Sequence, residues 1–305
     1  METFYLVCTY ILAGVLGLCV GSFLNVLIYR LPRGMNITKP ASHCPRCGYR
    51  LKWYDNIPIL SYILLRGKCR GCGERISPRY MAVEAMNCLL WLACVWKFYP
   101  YGIGSAVTAA LALSALTVIF FSDLETMLVP DSMIAGVALC GVAELVLEVF
   151  GLGIGISWQD RLWGALAGGG FFALFYFGFL LIRKREGLGF GDVKLMGAAG
   201  LLLGWKNIIL CVILACISAV AAVCAARIFG GKKDKEIGDA AVGDSTQPET
   251  GDFSEDGSMA GKKDGSEEEA KPQGAFPFAP FLAAAAAVCL FFGNTVCEWY
   301  IGLFM

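Results

Sequence analysis

Long runs of apolar residues alternate with short polar or charged segments along most of this 305-residue chain. A helix needs about 20 mainly apolar residues to cross the hydrocarbon core of a bilayer. Seven runs reach or approach that length, so the pattern predicts an all-α polytopic membrane protein. The predicted spans are residues 4–29, 81–99, 103–122, 132–150, 162–182, 207–229 and 276–292.

An eighth apolar segment, residues 194–205, has only twelve residues. At 1.5 Å per residue it gives about 18 Å of helix, whereas the hydrocarbon core is about 30 Å thick. Such a helix must tilt, thin the membrane or be sheltered by neighbouring helices. With this segment included, we predict about eight transmembrane helices.

The composition supports a membrane protein, because 57% of the residues are apolar and only 16% are charged. Soluble domains are about 25% charged. The only histidine, His43, directly precedes Cys44, which leaves none free for a Ser-His mechanism. The HExxH zinc motif and the GxxxxGK[ST] phosphate loop are also absent, so these classes of chemistry are excluded.

The net charge of zero hides two charged segments. Residues 30–81 carry eleven Lys and Arg against two acidic residues, a net charge of +9. Because positive loops stay in the cytoplasm, this predicts a cytoplasmic segment with both chain termini outside, and the basic triplet at 183–185 agrees. We interpret the positive charge as topology and contact with anionic lipid rather than nucleic-acid binding, since no interleaved aromatic platform accompanies it.

Residues 231–272 carry six Lys against twelve acidic residues and almost no apolar ones. This segment is predicted to be a disordered acidic cytoplasmic insert. Elsewhere, small residues recur at four-residue spacing in two spans, as Gly17/Gly21 and Gly164/Gly168. Such spacing lets helix backbones approach closely, so we expect tight helix packing at both places.

Two aspartates lie at the edges of apolar segments, where ionisable groups are costly and usually functional. Asp123 follows the third span and Asp192 begins the short segment. The predicted topology puts both on the cytoplasmic side at the same depth, although 69 positions separate them. Facing carboxylates can share one proton, so that one activates water while the other polarises a carbonyl and protonates the leaving amine. This is aspartic-protease chemistry.

Residues beside Asp192 are candidates for supporting this site. Gly189 and Gly191 are expected to leave backbone open for a substrate strand. Lys194, and Glu84 at the start of the second span, are expected either to line the site or to extend toward solvent.

Other acidic residues offer alternatives. Asp123 and Asp192 taken singly could be no more than interfacial helix caps, and Asp131, which follows Pro130, fits that description well. Glu144 and Glu148 form a rival pair on one helix face. They fall near the outer end of the fourth span, away from the other acids.

Four cysteines form the pattern C-x2-C-x21-C-x2-C within the basic segment: Cys44, Cys47, Cys69 and Cys72. Two such pairs beside glycine turns are typical of a structural zinc site with four thiolate ligands. A redox-active CxxC is the alternative, but two matched pairs argue against it. A loop of about fifty residues with few large apolar side chains is expected to need the metal to fold.

Several segments in order resemble motifs of the type IV prepilin peptidase family, and the similarity covers nearly the whole chain. Besides the paired CxxC motifs they are GSFLNVLIYRLPRG (21–34), NIPILSYILLRGKC (56–69), DLETMLVPD (123–131), GFGDVKLMG (189–197) and PFAPFLA (277–283).

The resemblance implies a GxGD-type intramembrane aspartic peptidase of the bacterial cytoplasmic membrane, with Asp123 and Asp192 as the catalytic pair. Such enzymes cleave the basic leader of type IV prepilins and pseudopilins on the cytoplasmic side, after a glycine. Members with the four cysteines also N-methylate the new N-terminus from S-adenosylmethionine. Glu125 stands where other members have Asp, and the acidic insert is longer than the family pattern leads us to expect.

The sequence thus predicts a first helix (1–29), a zinc-binding loop domain (30–80), a peptidase core (81–230), the acidic insert (231–272) and a last helix with the C-terminus (273–305). Two hypotheses from other classes remain at this point. One is a proton-coupled transporter with a zinc-stabilised scaffold, which would place its acids near the bilayer midplane within inverted repeats. The other is a zinc-dependent anchor for a secretion machine. Neither the oligomeric state nor the methyl-donor site follows from the sequence.

Overall fold

The structure, a computed structural model, describes residues 2–183, 189–230 and 277–303. Its helices are α1 (Glu2–Arg30), α2 (Leu60–Leu64), α3 (Arg79–Phe98), α4 (Ile103–Thr126), α5 (Asp131–Val149), α6 (Trp158–Arg183), α7 (Phe190–Leu203), α8 (Trp205–Gly230) and α9 (Ala279–Gly302). No strand occurs in these three ranges, which confirms the all-α prediction. One compact unit comprises Met1–Ile217 and Pro277–Met305, and Ser218–Phe276 form the other.

Seven of the described helices are long and apolar enough to cross a membrane, all except α2 and α7. Together with the short α7 they account for the eight predicted segments. The last helix is longer than predicted, because it continues beyond residue 292 to Gly302. In this added part, Asn294 accepts a hydrogen bond from Asn207 at 2.7 Å. Residues 184–185 and the acidic insert 231–272 lie outside the described residues.

Helix α4 occupies the middle of the bundle, where it packs against α1, α3, α5 and α9. A chain of buried polar side chains joins α1, α3 and α4. The Trp91 indole donates to Ser114, Ser114 donates to Asn87, and Asn87 donates to the carbonyl of Gly17 at 2.7 Å. Interhelical hydrogen bonds of this kind help to hold helices together where lipid removes the hydrophobic driving force.

The 14-residue helix α7 is an internal helix, since nine of its residues are buried against α5, α6 and α9. Of the three possibilities that the sequence left open for this segment, the structure shows shelter by neighbouring helices. The predicted close packing at glycines is confirmed as well. A Cβ atom on Gly164 of α6 would lie 2.6 Å from the carbonyl carbon of Gly204, and one on Gly21 of α1 would lie 2.8 Å from Cα of Glu84.

A buried arginine, Arg161 in the first turn of α6, hydrogen-bonds the C-terminal end of α7. Its guanidinium donates to the carbonyls of Leu201 and Leu202 at 3.3 and 2.8 Å. These carbonyls belong to the last turn of α7, which has no further helical turn to satisfy them. Glu144 lies 3.7 Å from the same guanidinium, and neither side chain is more than 2% exposed.

The rival pair of glutamates therefore has structural partners at this end of the bundle. Glu144 also accepts hydrogen bonds from Ser105 and Thr108 of α4. Glu148 accepts one from the backbone N–H of Gly155 at 3.0 Å. The sequence analysis did not single out Arg161, although an arginine in the first turn of an apolar helix was a visible signal.

Two glycines of α6 test the importance of the contact between α6 and α7. We expect Gly164→Ala to lower the unfolding temperature in detergent, because overpacking of this kind costs about 1–3 kcal/mol. Gly170→Ala is the matched control, since a Cβ there has no neighbour within 4 Å. Alanine favours helix over glycine by about 1 kcal/mol, so the control should be neutral or stabilising. Equal unfolding temperatures for the two variants would contradict the packing described here.

Candidate active site and cysteine cluster

Asp123 lies in the last turn of α4 and is only 5% exposed. The helix ends just beyond it, because Met127 adopts the left-handed conformation and donates its N–H to the Asp123 carbonyl at 2.9 Å. The buried Ser122 hydroxyl donates to the carbonyl of Leu128 and closes this turn. One carboxyl oxygen of Asp123, Oδ2, is buried without a hydrogen-bond partner.

Asp192 lies in the first turn of α7 and is 7% exposed. Its backbone N–H donates to the carbonyl of Gly189, the residue immediately before the helix. The two aspartates are close enough for the charge of Asp123 to act on Asp192. The fold therefore brings together two buried carboxyl groups that are 69 positions apart in the sequence.

A third helix end meets this pair. The backbone N–H of Ala279, the first residue of α9, is directed at the Asp123 carboxyl group. Ala279 is 1% exposed, so water does not compete for this N–H group. The start of a helix carries partial positive charge and unsatisfied N–H donors, which favours a carboxylate there. Sequence reasoning noted the PFAPFLA segment by resemblance alone and gave it no role at the site.

The predicted supporting residues differ in their surroundings. Gly189 is exposed. Gly191 is half-buried, and a Cβ there would lie 3.1 Å from Cβ of Val129. Glycine at 191 lets the first turn of α7 approach the segment between α4 and α5. Lys194 does not pair with Asp192; its ammonium lies 2.9 Å from the carboxylate of Asp131.

The remaining acids near this end have cation or backbone partners. Glu125, two residues after Asp123, forms an ion pair with Arg79 at the start of α3. Asp131 is in the first turn of α5, as predicted, but it makes no side-chain capping hydrogen bond. Glu84 is buried in α3 and accepts the backbone N–H of Ile59 at 2.7 Å. It therefore attaches the loop between α1 and α3 (residues 31–78, here the cysteine loop) to the helices.

The four cysteines of that loop form one cluster, in which all four sulfur atoms lie within 4.8 Å of one another. The Sγ atoms of Cys44 and Cys72 are 3.9 Å apart, and those of Cys47 and Cys69 are 4.0 Å apart. In a tetrahedral zinc site with Zn–S bonds of about 2.3 Å, sulfur atoms are about 3.8 Å apart. The donor set and its spacing therefore suit one metal ion bound by four thiolates.

The two CxxC segments have the same local fold. Cys44 N–H donates to the Tyr49 carbonyl at 3.0 Å, and Cys69 N–H donates to the Glu74 carbonyl at 2.7 Å. A left-handed glycine completes each turn, one at residue 48 and the other at residue 73. Backbone hydrogen bonds from residues 47 and 46 lower the pKa of the Cys44 thiol to about 7, whereas burial and the neighbouring thiols raise the pKa of Cys72 to about 11.

An ion pair between the buried Asp55 and the exposed Arg70 joins the two halves of the cysteine loop. Asp55 is 8% exposed and accepts hydrogen bonds from Arg70 at 2.9 Å and from the Tyr49 hydroxyl at 3.2 Å. Burial raises the pKa of Asp55, but the hydrogen bonds from Arg70 and the Lys52 backbone outweigh it, and the pKa lies below its ordinary value. The carboxylate thus stays ionised and holds the loop around the cluster.

These observations define a class: a polytopic helical membrane protein with a buried aspartate pair and a four-cysteine loop at the same end. Comparison with known families agrees. The Bacterial Peptidase A24 N-terminal domain matches residues 15–98, and the Type IV leader peptidase family matches residues 110–224. The chain belongs to the type IV leader peptidase family. The resemblance noted from the motifs is thereby confirmed, and the transporter alternative has no support.

Curated relatives extend this match over most of the chain. A prepilin leader peptidase/N-methyltransferase of Burkholderia pseudomallei is 31% identical over 92% of this chain and 84% of its own length. One from Aeromonas hydrophila is 30% identical over 94% of this chain and 92% of its own length. One from Myxococcus xanthus is 42% identical over 64% of this chain, although the match spans only 56% of that protein. No solved structure matches the chain.

The contact between Gly191 and Val129 sets the position of Asp192, and a pair of substitutions tests it. We expect Gly191→Ala to lower the unfolding temperature, since the added methyl group meets Val129 at 3.1 Å. Combining it with Val129→Ala should restore part of the loss, because alanine removes the two Val129 methyl groups at 3.4 and 3.9 Å and keeps only the Cβ atom. Gly189→Ala is the control: its Cβ would meet Asp192 at an ordinary 3.7 Å and its φ is −68°. A lack of rescue would contradict this contact.

Proposed function

We propose that this protein is an aspartic endopeptidase that removes the leader peptide of type IV prepilins and pseudopilins and then N-methylates the new N-terminus. The observation that carries the proposal is the meeting of Asp123 and Asp192, two buried carboxyl groups from different helices. The relatives named prepilin leader peptidase/N-methyltransferase support the substrate and the second activity.

In the proposed mechanism the two carboxyl groups share one proton, because two close buried carboxylates do not both ionise cheaply. The ionised member removes a proton from water, and that water attacks the scissile carbonyl carbon. The protonated member donates a hydrogen bond to the carbonyl oxygen and then helps to protonate the leaving amine. The N–H of Ala279 holds one face of Asp123 and leaves Oδ2 for these steps.

Substrate access is proposed at the start of α7. Gly189 is exposed and immediately precedes the turn that carries Asp192, so an extended leader can approach the backbone there. Gly191 serves the site differently, by bringing α7 close to Val129. Lys194 and Asp131 form an exposed ion pair that joins α7 to α5 beside the site.

We place the aspartate pair on the cytoplasmic side of the bacterial inner membrane. The ion pair between Arg79 and Glu125 puts the end of α4 beside the start of α3, where the cysteine loop ends. Residues 30–81 carry a net charge of +9, and positive loops stay in the cytoplasm. The same charge suits contact with anionic lipid headgroups, and we propose no nucleic-acid partner.

Zinc is the ion proposed for the four-cysteine cluster. Four thiolates leave no open position for substrate or water, so the role is structural. Cys44, Cys47, Cys69 and Cys72 would hold the ion, and the cluster would fix the loop beside the membrane helices. For the methylation, S-adenosylmethionine would supply an electrophilic methyl group to the N-terminal amine exposed by cleavage.

The aspartate pair is tested by cleavage of a purified prepilin in detergent, with the product N-terminus read by mass spectrometry. We expect Asp123→Asn and Asp192→Asn each to reduce kcat at least about a thousandfold, since residues that act as a unit fail together. Asp160→Asn is the control, because the Asp160 carboxylate accepts a hydrogen bond from the hydroxyl of Ser157, the residue before α6. If the folded Asp123→Asn or Asp192→Asn variant cleaves prepilin at the wild-type rate, the proposed mechanism is excluded.

The metal is tested by the double substitution Cys44→Ser/Cys47→Ser. We expect zinc content to fall from about one ion per chain to near zero and the cysteine loop to become sensitive to protease, because such small domains fold on their metal. Cys216→Ser/Cys224→Ser is the control, since both of these cysteines are exposed on α8. Retention of stoichiometric zinc in the loop variant would refute the ligand assignment.

A further inference from the structure

A cavity of about 400 Å³ lies between α1 and the cysteine loop. Small-molecule sites in proteins are typically 300–1,000 Å³. The helix contributes Ser22, Phe23, Val26 and Arg30, and the loop contributes residues in the range 37–42 together with 56 and 58. The lining is therefore mixed, with an aromatic ring and aliphatic groups next to hydroxyl and guanidinium groups. The proposed roles of the aspartate pair and of the four cysteines do not involve this cavity.

One wall of the cavity is fixed by Arg30, which is 8% exposed. Its guanidinium donates to the carbonyls of Asn36, Ile37 and Pro40 at 3.0, 2.9 and 2.6 Å. Three hydrogen bonds to one short segment hold that segment around the cavity. The wall is thus preorganised, which reduces the entropy that a ligand must lose on binding.

A buried carboxylate stands behind the opposite wall. Glu84 is 8% exposed, and the Ser22 hydroxyl, which lines the cavity, donates a hydrogen bond to it. Its other partner is the backbone N–H of Ile59, next to the lining residue Pro58. No ion pair within the described residues includes Glu84. A buried carboxylate without a cation is costly, so a cationic ligand beside Ser22 would be favoured.

The chemistry of the lining selects the ligand. A centre of positive charge is attracted to the Glu84 carboxylate and to an aromatic ring such as that of Phe23. A negatively charged group is attracted to Arg30, and a flat apolar group fits the aliphatic surface. A sulfonium donor with an amino-acid end and a nucleoside end has all three features. On the basis of the proposed N-methylation, we infer that this cavity binds S-adenosylmethionine, with Ser22 facing the sulfonium and the Glu84 carboxylate behind Ser22.

The cavity lies at the same end of the bundle as the aspartate pair. Arg79, five residues before Glu84, pairs with Glu125, two residues after Asp123. Asn25 of α1 donates to the carbonyl of Tyr80 at 3.1 Å and joins the cavity helix to the same turn of α3. A prepilin cut at the pair therefore leaves its new N-terminus at the end of the bundle where the donor binds.

The transfer itself needs no co-reactant beyond the donor. The lone pair of the neutral N-terminal amine attacks the methyl carbon, the carbon–sulfur bond breaks and its electron pair stays on sulfur. The amine then loses one proton to water. An α-amino group has a pKa near 7.7–8.0, so a useful fraction is neutral at physiological pH. Loss of the positive charge on sulfur removes the attraction to Glu84 and favours release of the product.

This charge difference gives the test. Equilibrium binding of S-adenosylmethionine and of S-adenosylhomocysteine, which lacks the sulfonium charge, is measured on the full-length chain in detergent. Glu84→Gln keeps the shape of the side chain and one acceptor oxygen. We expect it to lower the affinity for S-adenosylmethionine at least tenfold and the affinity for S-adenosylhomocysteine less than twofold. Glu74→Gln is the matched control, because that carboxylate is on the loop surface and pairs with Arg46. Val26→Trp, which fills the cavity, should abolish binding of both ligands.

Prepilin cleavage by the same variants separates the two proposals. If the Glu84→Gln and Val26→Trp variants still cleave prepilin, they are folded. A loss of ligand binding in these folded variants supports the proposed site. Suppose that the Glu84→Gln variant cleaves and methylates prepilin, and that the ratio of its affinities for S-adenosylmethionine and S-adenosylhomocysteine equals that of the wild type. The donor would then bind elsewhere, and this inference alone would be overturned. A wild-type protein that neither cleaves nor binds the donor would overturn the proposed function itself.

Discussion

Helix α7 is too short to cross the bilayer, and its last carbonyl groups must be satisfied inside the protein. Unpaired backbone groups are costly away from water, so such a helix needs a donor at its buried end. Arg161 supplies that donor, and Glu144 provides the charge that Arg161 needs. The rest of the candidate site depends on this constraint, because it fixes how far α7 extends and thus where Asp192 lies at the other end.

At the opposite end, three helix termini converge on the two carboxyl groups. Helix α4 ends just after Asp123, α7 begins just before Asp192, and α9 begins at Ala279, whose N–H faces Asp123. Helix termini present unpaired backbone groups without extra side chains. Glycine at position 191 allows the close approach that brings them together. The site is therefore built as much from backbone as from side chains.

The cysteine loop is attached to the same end by buried polar groups rather than by an apolar core of its own. Glu84 binds the N–H of Ile59, and Arg30 binds three carbonyls of the loop. These attachments enclose the cavity proposed for the methyl donor. The two proposed activities thus share α3 as a common element, with Glu84 on the side of the cavity and Arg79 on the side of the aspartates.

The sequence by itself determined the helices, the four-cysteine pattern and the motifs of the family, because each depends on residues near one another in the chain. It identified both aspartates from their cost at a membrane edge. Only the tertiary structure decided which groups meet them. The N–H of Ala279 is 156 positions from Asp123, and Arg161 reaches the end of a helix forty positions later. Such contacts depend on how closely helices pack at glycines such as Gly164, and that distance is a property of the assembled bundle.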